Sequence, residues 1–69
     1  MIQVDAAGLS CPEPVILLKK AIQNHDAVRL LVDNRASAKI CGRFAQSKGY
    51  NVSVTRPDDL YILDIIKNE

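Results

Sequence analysis

The apolar residues of this chain switch repeatedly between a two-residue and a 3.6-residue period, and that succession is what most restricts its fold. Ile2-Gln3-Val4 alternates as a short strand does. Residues 5–10 make a loop containing Gly8. From Pro12 to about Asn24, Val15, Leu18 and Ile22 recur at i, i+3 and i+7, one face of an α-helix. Pro12 suits the first helical position, where a missing N–H has no consequence. Val28–Asp33 (VRLLVD) is a strand of branched residues, and Asn34-Arg35 turns the chain. A second helix is expected from about Ala36 to Lys48, with Ser37, Ile40, Cys41, Phe44, Ala45 and Lys48 near one face and Gly49 as its stop. Tyr50–Arg56 alternates again, Pro57-Asp58-Asp59 is a turn, and Leu60–Lys67 (LYILDIIK) is the last strand.

The order βαβαββ predicts an α/β (α+β) two-layer sandwich. Right-handed crossovers put both helices on one face of a four-stranded mixed sheet. The last strand is the most apolar and belongs inside the sheet. Strand order 1-2-4-3 achieves that and keeps the terminal hairpin antiparallel. With 69 residues, one domain spanning 1–69 is expected. A domain this small buries about 60% of its unfolded surface. It cannot also wall a deep active site, which favours a surface site completed by a partner.

Formal net charge is +1, so the basic excess typical of nucleic-acid binders is absent and no direct nucleic-acid binding is expected. The longest apolar run, Val15-Ile16-Leu17-Leu18, is far short of the ~20 residues of a membrane span, so no membrane association is expected. Asp5 and Gly8 interrupt the early apolar stretch that a signal peptide needs. Two cysteines without an export signal read as reduced thiols in the cytoplasm.

Chemistry concentrates in Asp5-Ala6-Ala7-Gly8-Leu9-Ser10-Cys11-Pro12-Glu13-Pro14-Val15. A helix N-terminus favours a thiolate, the nucleophile of sulfur exchange. Pro12 and Pro14 lack N–H groups, so only Glu13 and Val15 can offer first-turn donors, and the Glu13 carboxylate opposes a second negative charge. The prolines are better explained as stiffeners that hold Cys11 at an exposed corner. The competing reading is a buried thiol packed as a small hydrophobe. For Cys41, mid-helix beside Ile40, Phe44 and Ala45, that packed and inert state is the expected one. His25 stands at the far end of the first helix, roughly 20 Å from Cys11. It suits a C-terminal cap with Asn24 and cannot act as the base for Cys11. With no CxxC and no phosphate-loop motif, no metal and no cofactor is expected. Lys19, Lys20, Arg35, Lys39 and Arg43 are either a solvated charged face or a docking rim for an acidic partner.

The segment D-x-x-G-L-x-C-P-x-P-V at Asp5–Val15 resembles the TusA/SirA-like family of sulfur carriers, and the element order and length extend the resemblance over nearly the whole chain. The resemblance implies a fold like the C-terminal domain of translation initiation factor 3. It implies that Cys11 carries a persulfide received from a cysteine desulfurase or another sulfurtransferase and passed to a downstream acceptor protein. Asp5, Gly8, Leu9, Pro12, Glu13 and Pro14 then shape the loop and helix start. Val32–Ser37 (VDNRAS) looks closest to the YedF-type branch, associated with sulfur or selenium metabolism; Ser10 stands where some tRNA-thiolation members have arginine. The chain is then a sulfurtransferase-like carrier rather than a self-contained enzyme. The alternative is a regulatory or nucleic-acid-binding module on the same fold. A third reading, redox sensing at Cys11, lacks a resolving thiol if Cys41 is buried.

Overall fold

The computed structural model describes residues 1–10 and 12–68. Strand β1 (Ile2–Asp5) leads into α1 (Glu13–Asn24), β2 (Ala27–Val32), α2 (Arg35–Ser47), β3 (Tyr50–Thr55) and β4 (Tyr61–Lys67). The βαβαββ order is the expected one, and so is the sheet order β1-β2-β4-β3. β1 pairs parallel to β2, while β4 pairs antiparallel to both β2 and β3. The reason is visible in β4. Leu63 and Ile65 point to the helices and are fully buried. Ile62, Asp64 and Ile66 alternate to the other face. Between β2 and β3 the most apolar strand has both of its edges hydrogen-bonded and its inner face under the helices.

The core lies between sheet and helices. Val28, Leu30 and Val32 of β2 meet Leu63 and Ile65 from the sheet side, and Leu18, Ala38, Cys41 and Ala45 close it from above. The opposite sheet face is open. There Arg29 and Asp64, paired across β2 and β4, form an ion pair with Nε–Oδ1 at 2.7 Å. The hydrogen bond to Asp64, and then its charge, raise the Arg29 pKa above the ordinary arginine value.

Several helix details differ from expectation. α1 begins at Glu13; Pro12 is its N-cap, with its carbonyl accepting from the Ile16 N–H at 3.2 Å. Pro14, expected as a stiffener, is also a fully buried core side chain, one turn before Leu18 on the same face. In α2, Asn34 is no turn residue. Its side chain caps the helix by accepting the Ser37 N–H at 2.8 Å, and Arg35 is already helical. The buried face is Ser37, Ala38, Cys41 and Ala45, while Ile40 is 41% exposed. Ile40 sits about 100° around the helix from Cys41, which carries it off the sheet-facing side. Gly49 ends α2 as expected, with φ +86° and its N–H on the Gln46 carbonyl at 3.0 Å.

Candidate functional site

The loop between β1 and α1 is built from the backbone outwards. Ala6 continues the strand register by donating its N–H to the Leu31 carbonyl at 2.8 Å, and its methyl group is fully buried. The chain then turns. Asp5 Oδ1 accepts the Ala7 N–H at 3.0 Å, the local side-chain turn that aspartate favours. Gly8 takes φ +81°, a conformation that L side chains rarely adopt. An added Cβ there has no neighbour within 4 Å, so glycine is required by the backbone and not by space. Leu9 returns its N–H to the Ala6 carbonyl at 3.3 Å and packs against the core.

A contact outside the loop completes this frame. Asp33, just after β2, accepts the Gly8 N–H on Oδ2 at 2.7 Å. Its other oxygen accepts from Asn34 Nδ2 at 3.2 Å, and Asn34 is the cap of α2. The loop is thereby tied to the start of the second helix. Sequence reading missed Asp33 as a site residue. The bond spans 25 positions, and no local pattern announces it.

These bonds also settle what the loop N–H groups are doing. Those of Ala7 and Gly8 are occupied by carboxylates. The Glu13 N–H, expected as a first-turn donor toward an anion, is bonded to the Ser10 carbonyl at 3.0 Å. The segment is thus an arm tied down by its hydrogen bonds, with neither the Ala7 nor the Gly8 N–H left for a phosphate. Ser10, Pro12 and Glu13 are exposed. The expectations placed on Cys11 itself, its exposure and its position at the helix start, lie outside the described residues.

The remaining candidates separate clearly. Cys41 is fully buried on the sheet-facing side of α2, as expected. His25 is the C-cap of α1, in extended conformation. Lys19, Lys20, Arg35, Lys39 and Arg43 are all exposed on the helical layer, and Arg35, Lys39 and Arg43 follow each other one turn apart along α2. Among the described residues no group of three His, Cys, Asp or Glu side chains could hold a metal ion. No helix among them is long and apolar enough to cross a membrane.

Comparison with known proteins agrees with this geometry. A family model described as sulfurtransferase TusA matches residues 2–67. The crystal structure of a SirA-like protein from Desulfitobacterium hafniense superposes with a TM-score of 0.89 at 32% identity, covering 100% of both chains. No curated protein matches the chain. A family match over nearly every residue, joined to the same fold over the full length, places the chain in the TusA/SirA-like family, which acts in sulfur relay.

Proposed function

We propose that the chain is a sulfur carrier that holds a persulfide on Cys11 and relays it between a donor protein and an acceptor protein in the cytoplasm. The Cys11 thiolate attacks the outer sulfur of a donor persulfide. A Cys11–sulfur bond forms, the donor's S–S bond breaks, and the donor departs as a thiolate. One sulfur atom moves, and neither oxidant nor reductant is consumed. An acceptor thiolate attacking the outer sulfur on Cys11 discharges it by the same exchange. A cysteine desulfurase or another sulfurtransferase is the donor class that fits. The Val32–Ser37 segment favours the YedF-type branch within the family.

The observation that best supports this reading is the arm itself. Asp5, Asp33 and the Ala6 backbone fix residues 5–9 as they lead to the exposed Ser10 and Pro12 on either side of position 11. The family match supplies the sulfur chemistry. Stiffness at that corner reduces the ordering cost each time a thiol enters a partner's site.

The test is Cys11→Ser. The variant keeps the wild-type circular dichroism spectrum and loses sulfur transfer from a cysteine desulfurase to background, because a hydroxyl cannot hold a persulfide. Transfer at the wild-type rate by this variant removes Cys11 from the mechanism.

A further inference from the structure

The near-neutral charge of the whole chain conceals a strong separation between its layers. The helical layer carries Lys19, Lys20, Arg35, Lys39, Arg43 and Lys48, and its only carboxylate is Glu13. The strands and loops carry the reverse balance, with Asp5, Asp26, Asp33, Asp58, Asp59 and Asp64 against Arg29, Arg56 and Lys67. A global charge of +1 is therefore no guide to what the helical face meets.

Between the helices on that face runs a groove of about 310 Å³. Ile22, Phe44 and Tyr50 give it an apolar floor, and Lys19, Gln23 and Lys48 give it a polar rim. The floor is anchored, since the Tyr50 hydroxyl donates to the Ile22 carbonyl at 3.2 Å. Lys48 stands over the Phe44 ring with Nζ 5.7 Å from its centroid. Ile16, 47% exposed, and Ile40, 41% exposed, extend the apolar surface along the two helices.

We propose that this groove is the docking site for the sulfur-donating protein, and that it takes an apolar side chain flanked by carboxylates. The inference rests on the carrier reading and adds the partner's chemistry to it. Charge complementarity identifies the occupant: two rim lysines and the α2 row of cations attract an acidic surface, and the apolar floor asks for one buried anchor. The start of α1 lies six and ten residues before Lys19 and Gln23, about 9 and 15 Å of helical rise. A donor seated in the groove can therefore also reach the presenting arm. Such a contact is transient, and charge governs its rate of encounter.

The experiment compares two donors on each protein: a cysteine desulfurase with cysteine, which must dock, and glutathione persulfide, which need not. The readout is the ratio of the two loading rates. In Lys19→Glu/Lys48→Glu the ratio falls at least tenfold, and in Lys19→Gln/Lys48→Gln it falls less. For the wild type it falls as salt rises toward about 1 M, where the screening length is ~3 Å. An unchanged ratio in the Glu variant overturns the docking site. So does a wild type loaded by glutathione persulfide alone, or an inhibition of the desulfurase reaction by added RNA that the Glu variant escapes, which would assign the face to nucleic acid. A wild type loaded by neither donor sinks the carrier reading instead.

Discussion

At the scale of single residues, the loop that leads to Cys11 depends on two that contribute no chemistry. Gly8 is held at φ +81° with empty space where a Cβ would sit, so Gly8→Ala meets only the backbone penalty of that conformation, roughly 1–2 kcal/mol. In a domain of this size each 1 kcal/mol lowers the melting temperature by about 4–8 °C, so thermal unfolding reads it directly. Asp33→Ala removes the 2.7 Å bond to the Gly8 N–H, a charge-assisted contact on an exposed loop worth about 1 kcal/mol. The expected result is faster hydrogen exchange at the Gly8 amide with the β2–β4 amides unchanged. Equal exchange at Gly8 in variant and wild type would mean that the loop holds itself without Asp33. Gly8 was legible in the sequence because a glycine in a loop before a helix is a local signal. Asp33 was not, because its role exists only once β1 and β2 lie side by side.

At the scale of elements, the cap of α2 carries most of what sequence reading mistook. Asn34 reads equally as a turn residue or an N-cap, and only the 2.8 Å bond to the Ser37 N–H distinguishes them. Asn34→Ala is expected to cost about 1 kcal/mol. It also removes the amide that meets Asp33, so loss of helix start and loosening of the loop should appear together in hydrogen exchange at Ser37 and Gly8. Fraying at Ser37 alone would separate the two. The same element shows why Ile40 was misplaced. Ile40 and Phe44 follow a helical spacing as convincingly as Ala38 and Ala45 do, and apolar character points to the larger side chains. The sheet took Ala38 beside the expected Ser37, Cys41 and Ala45, Phe44 packs at the core's edge, and Ile40 is left exposed. Ala38, Cys41 and Ala45 let α2 approach closely. The sheet order, by contrast, followed from one apolar strand, because a strand with Leu63 and Ile65 inside has few stable places.

At the scale of the molecule, a small two-layer sandwich spends its interior on stability and leaves function to its surfaces. Cys41 follows that division. Cys41 is fully buried under α2, and Cys11 follows the arm that Asp5 and Asp33 tie down. The cations of the two helices were legible in the sequence as a charged rim, but the groove was not, because Tyr50 joins Ile22 and Phe44 only once β3 and both helices are assembled. The most direct measurement is mass spectrometry of non-reduced peptides after native incubation with a cysteine desulfurase and cysteine, on wild type and Cys41→Ala. One added sulfur on the Cys11 peptide, none on the Cys41 peptide, and full loading of Cys41→Ala are the predicted results. Sulfur accumulating on Cys41 as fast as on Cys11, or loading lost in a folded Cys41→Ala, would contradict the single-thiol account.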